Sequence, residues 1–226
     1  YINKAKKGES FCTKQGKGKE LSMRLEQPQA IRTIFFDAGF TLVKPYPSIL
    51  EICQQVCQSL SLHVTVEQLR DQAEAAEDFF LRQSRVNRHT WSDEQAIAEF
   101  WTGYYITLLR PLIAEHDETR LYQLARAINE EFEKHTSWEI YPDVDKTLER
   151  LRANNYSLGV ISDWGIALGP ILREHHLTQY FDCVLISAVT RHAKPSPTLY
   201  ELALQRANAI PDYSIHIGDS YIQDVL

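Results

Sequence analysis

The chain has 226 residues, of which 44% are hydrophobic and 24% are charged, and these proportions are ordinary for a globular protein. The formal charge of -6 disfavours a nucleic-acid partner, and no apolar run approaches the ~18 residues that a membrane span needs. Composition therefore predicts neither a nucleic-acid nor a membrane partner, and it leaves the oligomeric state open.

The first 22 residues differ in character from the rest of the chain. They hold six lysines and two glutamates and show no periodic apolar pattern, so we predict that residues 1–22 form a disordered basic tail. The segment lacks the apolar core of a secretory signal. The only methionine, Met23, is one interpretation of where the natural protein begins.

Four cysteines are present, and no two of them form a CxxC pair: Cys12, Cys53, Cys57 and Cys183. This spacing argues against a zinc site and against a disulfide framework. Cys53 and Cys57 lie four residues apart in a helical pattern, so both are expected to face a core. Such cysteine usage is typical of a reducing compartment and predicts a cytoplasmic protein.

Four short segments rich in β-branched and apolar residues predict buried strands: Thr33–Phe36, Ser157–Ile161, Cys183–Ile186 and Ile215–Ile217. Helical patterns precede each of the last three strands. This alternation predicts an α/β fold with a doubly wound, Rossmann-like parallel sheet. The chain ends at Leu226, within what resembles a motif, so the C-terminal end of the core is expected to be missing.

The stretch between the first and second strands shows helical spacing and no strand pattern. We predict an all-helical cap domain over residues 46–137, inserted between the core segments 23–45 and 138–226. Two of its helices begin with capping-box patterns, Thr65-x-x-Gln68 and Ser92-x-x-Gln95. Four of its aromatic residues are expected in its core: Trp91, Trp101, Tyr104 and Tyr105.

Polar residues follow each predicted strand, where an open α/β sheet gathers its functional groups. They are Asp37 and Thr41 after the first strand, Ser162 and Asp163 after the second, Lys194 after the third, and Gly218, Asp219, Ser220 and Asp224 after the fourth. Because these positions converge on one edge of the sheet, they predict a single site that contains acids, hydroxyls and a lysine.

The sequence at these positions resembles the haloacid dehalogenase (HAD) superfamily. The four motifs are "FFDAGFTL", "VISD", "AKPSPTLY" and "HIGDSYIQD", and the resemblance spans residues 31–226. The helical insert after the first motif resembles the C1-type cap of the phosphatase- and dehalogenase-like members. The resemblance therefore implies a hydrolase with a capped active site.

The resemblance also implies a role for each residue of the site. Asp37 is the expected nucleophile, which attacks phosphorus and forms an aspartyl phosphate. Asp37, Asp219 and the backbone carbonyl of Gly39 are expected to hold Mg²⁺ between the nucleophile and its anionic substrate. The phosphoryl oxygens are expected to contact Thr41, Ser162 and Lys194, of which Lys194 is also catalytic. Asp224 is expected behind them, holding Lys194 or the Ser220 loop.

Three positions depart from the pattern of the HAD phosphatases. Gly39 stands where those enzymes have a second aspartate, the general acid and base, and Phe40 stands where glycine is usual. General acid–base catalysis contributes ~10²–10⁴-fold, so the change predicts a slow enzyme, or one that selects good leaving groups. The cap offers three other proton donors: His89, His135 and Glu133. Asp163 stands where asparagine is frequent and adds negative charge beside an anion site.

These residues lead to one main hypothesis and two alternatives. The main hypothesis is a Mg²⁺-dependent phosphohydrolase that acts on a small phosphorylated metabolite. The second is a catalytically weak or inactive HAD domain that binds a phosphorylated ligand or a protein partner, and the third is a 2-haloacid dehalogenase. Phosphonate cleavage needs a cap lysine, and residues 46–133 contain none.

Overall fold

The computed structural model describes residues 31–86, 89–113 and 117–225. The predicted tail, Cys12 and Met23 lie outside these ranges. The described residues form six strands: β1 (Thr33–Phe36), β2 (Val43–Pro45), β3 (Trp138–Ile140), β4 (Ser157–Ser162), β5 (Cys183–Ile186) and β6 (Ser214–Ile217). They also form eight α-helices: α1 (Ile49–Ser59), α2 (Val66–Val86), α3 (Glu94–Leu109), α4 (Glu118–Phe132), α5 (Val144–Ala153), α6 (Leu168–Glu174), α7 (Ser187–Thr190) and α8 (Pro197–Arg206).

Four of the strands form a parallel sheet in the order β5–β4–β1–β6, so the predicted doubly wound sheet is confirmed. Strands β1 and β5 have the predicted bounds, while β4 and β6 are each one residue longer. The chain leaves β1 towards β4 on one side and returns to β6 on the other side. The carboxyl end of β1 therefore lies at the point where the strand order reverses, which is the usual ligand-binding place in open α/β sheets.

Apolar side chains cover both faces of this sheet. Ile34 and Phe36 pack with residues of α5 and α6, whereas Phe35, which points the other way, packs against α8. Because successive side chains of a strand alternate between faces, a strand that is buried on both sides needs a continuous apolar run. That requirement explains the sequence "TIFF" immediately before Asp37.

Helices α1 to α4 all lie between residues 46 and 137 and pack around an apolar cluster of their own. Cys53 and Cys57 are fully buried in this cluster, which confirms that both face a core. Tyr104 and Tyr105 are buried there as well, and Trp101 packs against them. The exact boundaries of the cap stay a prediction.

Two local features differ from the sequence prediction, one where the core joins the insert and one within the insert. Strands β2 and β3 pair antiparallel where the chain leaves and re-enters the core, whereas no strand was predicted there. Three residues are too few to show a period-2 pattern.

The second helix start is also shifted. Asp93, not Ser92, is the N-cap of α3, since its Oδ1 accepts the Ala96 N–H at 3.0 Å. Aspartate caps a helix as well as serine does, and Asp93 is the residue that directly precedes the helix. The first predicted capping box is confirmed, because Thr65 and Gln68 each accept the other's backbone N–H.

Within the described ranges, no helix combines the length and the apolarity that crossing a membrane would require.

Candidate active site

Asp37 lies directly after β1, at the centre of the sheet. Its backbone N–H donates to the Ile217 carbonyl at 2.8 Å, which extends the pairing of β1 with β6 by one residue. Only 7% of the residue is exposed. A carboxylate that is buried to this extent needs a positive or hydrogen-bonding partner, because desolvation disfavours the free charge.

Lys194 supplies that partner from the loop after β5. Its Nζ lies 3.0 Å from Asp37 Oδ1 and donates to Asp224 Oδ1 at 2.6 Å, with 2% of the side chain exposed. Burial alone would lower the pKa of Lys194, but the charges of Asp37, Asp163 and Asp224 outweigh burial and raise it. The ammonium group is therefore charged and bridges two carboxylates.

Both carboxylate oxygens of Asp224 accept hydrogen bonds from protein groups. Its Oδ1 also accepts from His216 Nε2 at 2.9 Å, and its Oδ2 accepts the Ser220 N–H at 2.9 Å. Burial opposes ionisation, yet the hydrogen bond from His216 and the charge of Lys194 hold the pKa of Asp224 at about 2. The structure thus places Asp224 against both predicted partners, Lys194 and the Ser220 loop, while its role in a reaction stays a prediction.

The close approach of Asp224 depends on Gly218. A Cβ at this position would lie 2.2 Å from Asp224 Cγ, so any other residue would displace the carboxylate.

Asp219 completes an acidic cluster. One oxygen of each of Asp37, Asp219 and Asp224 lies within 4.8 Å of the other two. Burial, followed by the charges of Asp37 and Asp224, raises the pKa of Asp219. Both oxygens of Asp224 accept hydrogen bonds from protein groups, whereas Asp37 contacts Lys194 through Oδ1, so Asp37 and Asp219 stay the pair predicted to bind a cation. Hard oxygen donors at this separation fit Mg²⁺, and the Gly39 carbonyl as a third ligand stays a prediction.

Two hydroxyl groups lie at the same edge of the sheet. Thr41 Oγ1 is buried in the turn after Asp37 and has no hydrogen-bond partner. A buried hydroxyl without a protein partner is unusual in a folded protein, and this one is free to donate to a bound oxygen. Ser162 ends β4, and the pairing of Phe36 with Val160 brings it to the edge that carries Asp37. Phosphoryl binding by these hydroxyls stays a prediction.

Comparisons with known proteins identify the family of the chain. A model of the haloacid dehalogenase-like hydrolases matches residues 31–226. The chain belongs to this family.

Three relatives illustrate the range of the family. The haloacid dehalogenase-like hydrolase domain-containing protein 3 of Danio rerio is 28% identical over 87% of this chain and 80% of its own length. A glyceraldehyde 3-phosphate phosphatase of Pyrococcus furiosus is 32% identical over 37% of this chain and 35% of its own. The magnesium-bound HAD hydrolase YfnB of Bacillus subtilis shares the fold, with a TM-score of 0.64 and 18% identity over 86% of this chain and 81% of its own.

Trp164 occupies the space beside Gly39, where the HAD phosphatases have their second aspartate. A Cβ on Gly39 would lie 3.1 Å from Trp164 Cζ3. The indole packs against Trp138, with ring centroids 4.6 Å apart, and the backbone N–H of Trp164 donates to Ser187 Oγ at 3.1 Å. The sequence analysis missed this contact, although a tryptophan directly after the second motif was a signal.

His216 was also missed by the sequence analysis. It lies on β6, where its ring Nε2 contacts Asp224 and its Nδ1 is buried without a partner. A histidine in an otherwise apolar strand, three residues before Asp219, was the available signal.

The three cap residues named as proton donors lie in different surroundings. The His135 ring is close to the His175 ring, with centroids 6.3 Å apart. Burial and the charges of Glu94 and Glu130 raise the pKa of Glu133. His89 is exposed on the turn before α3. Their roles as proton donors stay predictions.

The cap contacts the core through the start of α3. Glu94 Oε2 accepts the Ile166 N–H at 2.9 Å, and Asp93 forms an ion pair with Arg191. Apolar residues of the cap, among them Trp91 and Phe100, pack there against core alanines. The loops that the cap touches follow β4 and β5, so they also carry Trp164 and Lys194.

Asp163 predicts a pH dependence of stability. Its Oδ1 accepts the Lys194 N–H at 2.9 Å, and Gln223 Nε2 lies 3.4 Å from its Oδ2. Burial raises the pKa of Asp163 from 3.8 to about 7, with Lys194 opposing and the charges of Asp37 and Asp224 adding to the rise. The unfolded carboxyl ionises near 3.8 and the folded one near 7, so stability from this group falls as pH rises between these values.

Asp163→Asn keeps an oxygen acceptor and removes the titration. At 1.36 kcal/mol per pKa unit, we expect the variant's stability relative to the wild type to increase by about 2–3 kcal/mol between pH 5 and pH 8. Urea unfolding at both pH values measures this difference, and Asp145→Asn, at an exposed position of α5, is the control. If the free energies of unfolding of the wild type and of Asp163→Asn change with pH in parallel, the raised pKa of Asp163 is wrong.

Proposed function

We propose that the protein is a Mg²⁺-dependent phosphohydrolase that acts on a small phosphorylated metabolite. The observation that carries this proposal is the convergence of Asp37, Asp219 and Lys194 at the carboxyl end of the sheet. A carboxylate nucleophile repels a phosphoryl dianion, so such a site requires positive charge beside both. The cluster of acids around one ammonium group leaves an excess of negative charge that a divalent cation balances.

The reaction proceeds in two steps at Asp37. A carboxylate oxygen of Asp37 forms a bond to phosphorus while the bond from phosphorus to the leaving oxygen breaks. Lys194 and the hydroxyls of Thr41 and Ser162 bind and orient the phosphoryl oxygens, and positioning of this kind supplies most phosphoryl-transfer catalysis. Asp37 and Asp219 would hold Mg²⁺, which would supply electrostatic stabilisation of the phosphoryl group. Water then releases phosphate and regenerates the Asp37 carboxylate.

A second candidate function is a domain that binds a phosphorylated ligand without turnover. Gly39 favours this function, because residue 39 carries no carboxylate to act as a general acid and its Cβ position is close to Trp164. The dehalogenase hypothesis ranks lower, since that reaction needs no metal and the approach of Asp219 to Asp37 would then add only repulsion.

The deciding experiment measures phosphate release from 4-nitrophenyl phosphate with Mg²⁺ and with EDTA, beside Asp37→Asn. A phosphohydrolase gives turnover that requires the metal and that the substitution abolishes. Release at the rate of the Asp37→Asn control, together with saturable binding of inorganic phosphate, would support the binding domain instead.

We also propose a cytoplasmic location. Cys53 and Cys57 are buried as free thiols within the core of the cap, as is usual in reducing compartments. Measuring the distribution of the tagged protein between cell fractions tests this location.

The contact between Glu94 and Ile166 predicts how the cap affects substrate binding. Glu94→Ala removes the acceptor of the Ile166 N–H, and one such bond contributes about 0.5–1.5 kcal/mol. We therefore expect KM for 4-nitrophenyl phosphate to rise about 2–10-fold, because the closed state, in which the cap contacts the core, becomes less populated. The control is Glu99→Ala, which alters an exposed glutamate on the same helix. An equal KM for both variants would contradict a role of this contact in closure.

A further inference from the structure

The turn that follows Asp37 contains no group that can protonate a leaving oxygen. Its residues run Ala38, Gly39, Phe40, Thr41 and Leu42. An alkyl ester leaves as a strongly basic alkoxide unless an acid within hydrogen-bond reach protonates it, and such an acid contributes ~10²–10⁴-fold. Aryl, acyl and anhydride phosphates leave as stabilised anions and depend far less on that acid.

Trp164 crowds the position of such an acid. The indole would lie 3.1 Å from a Cβ at position 39 and packs against Trp138, while the Trp164 backbone N–H donates to Ser187 Oγ. A side chain on residue 39 would therefore require the indole, which packs against Trp138, to shift by a few tenths of an ångström.

The other ionisable groups of the cluster are engaged by protein partners. Lys194 bridges Asp37 and Asp224, and Asp224 also binds His216. Asp163 accepts the Lys194 N–H through one oxygen and faces Gln223 through the other. Within the described core cluster, none of these side chains is left to serve a leaving group, and a proton from His89, His135 or Glu133 of the cap is the alternative that the substrate series tests.

Two exposed apolar side chains adjoin the same residues in the chain. Phe40 follows Gly39, is 45% exposed and has the left-handed backbone φ of 55°, which is costly for a residue with a side chain. Ile166 lies two residues after Trp164 and is 61% exposed. Exposed apolar side chains this near to site residues in the chain favour a flat aromatic or acyl group over a polyhydroxylated one.

We infer that the protein hydrolyses aryl phosphates and acyl phosphates in preference to alkyl phosphates, because its leaving group departs without a proton from the enzyme. This inference rests on the proposed phosphohydrolase function. An oxygen of Asp37 forms a bond to phosphorus, and the leaving oxygen keeps the electron pair of the broken bond. It departs as an aryloxide or a carboxylate. In the second step a water oxygen binds phosphorus, the bond to Asp37 breaks, and the proton of the water passes to solvent.

The test is a series of substrates with the wild-type chain and Mg²⁺. It compares kcat/KM for 4-nitrophenyl phosphate, phenyl phosphate, acetyl phosphate and glycerol 1-phosphate, with the Asp37→Asn rate subtracted. We expect kcat/KM for 4-nitrophenyl phosphate and acetyl phosphate to exceed that for glycerol 1-phosphate by about 10²–10⁴-fold. The kcat/KM for phenyl phosphate is expected to lie between the values for 4-nitrophenyl phosphate and glycerol 1-phosphate.

The possible results distinguish a failure of the leaving-group inference from a failure of the proposed phosphohydrolase function. If glycerol 1-phosphate is hydrolysed within about tenfold of 4-nitrophenyl phosphate, an acid is being supplied and the inference is wrong, while Asp37-dependent turnover still supports the phosphohydrolase. If no substrate is turned over above the Asp37→Asn rate, both proposals fail.

A pair of variants tests the part played by Trp164. Gly39→Asp alone is expected to gain less than tenfold with glycerol 1-phosphate, because Trp164 crowds the Cβ of the new side chain. Gly39→Asp combined with Trp164→Ala is expected to gain about 10²-fold with this substrate, the lower value for a general acid. A comparable gain from Gly39→Asp alone would overturn the steric argument.

Discussion

Lys194→Met is expected to lower the free energy of unfolding by about 3–5 kcal/mol and to abolish turnover. Methionine fills much of the space of the lysine stem but carries no charge, so Asp37 and Asp224 lose the cation between them. Both carboxylates are largely buried, with 10% and 1% of their side chains exposed. Removing one partner of a buried ion pair costs this amount because the remaining charge is left uncompensated.

A double-mutant cycle isolates the electrostatic part of this effect. Asp224→Asn removes one of the two carboxylates, so the combination with Lys194→Met is expected to cost less than the sum of the single changes, by about 0.5–3 kcal/mol. Urea unfolding at pH 7 measures all four proteins. The control is Lys134→Met, because Lys134 forms an exposed pair with Glu131 and such pairs contribute ~1 kcal/mol or less. A Lys194→Met protein as stable as this control would refute the buried bridge.

Asp37→Asn is expected to lower turnover by about 10⁴-fold or more, the range seen when a catalytic nucleophile is removed. Asparagine has nearly the shape of aspartate, but its amide oxygen is a poor nucleophile. The change also removes one of the charges that raise the pKa of Asp219, so the two oxygens repel each other less. We therefore expect the variant to fold and to bind inorganic phosphate while it fails to hydrolyse 4-nitrophenyl phosphate.

Steady-state rates and phosphate titration calorimetry, both with Mg²⁺, measure the two halves of this prediction. Asp145→Asn, prepared in the same way, controls for contaminating phosphatases. An Asp37→Asn protein that retains a tenth of the wild-type rate, with mass spectrometry excluding deamidation, would show that Asp37 is not the nucleophile.

The local sequence determined the core strands, the doubly wound sheet and the residues that meet at its edge. Buried parallel strands need apolar runs, and the topology brings their carboxyl ends together, so Asp37, Lys194 and Asp219 were identified without knowledge of any contact. The departure at Gly39 was equally visible, because it is a change of residue type within a short motif.

The tertiary structure decided what surrounds those residues. Trp164 beside Gly39 and Ile166 against Glu94 join parts of the chain that are far apart in sequence. The short pairing of β2 with β3 is likewise a product of the tertiary fold. Periodicity and capping patterns report the backbone over a few residues, whereas these contacts depend on how distant core segments pack together and how the cap contacts the loops of the sheet. The sequence therefore specified the chemical groups of the site, and packing specified the space left for a substrate.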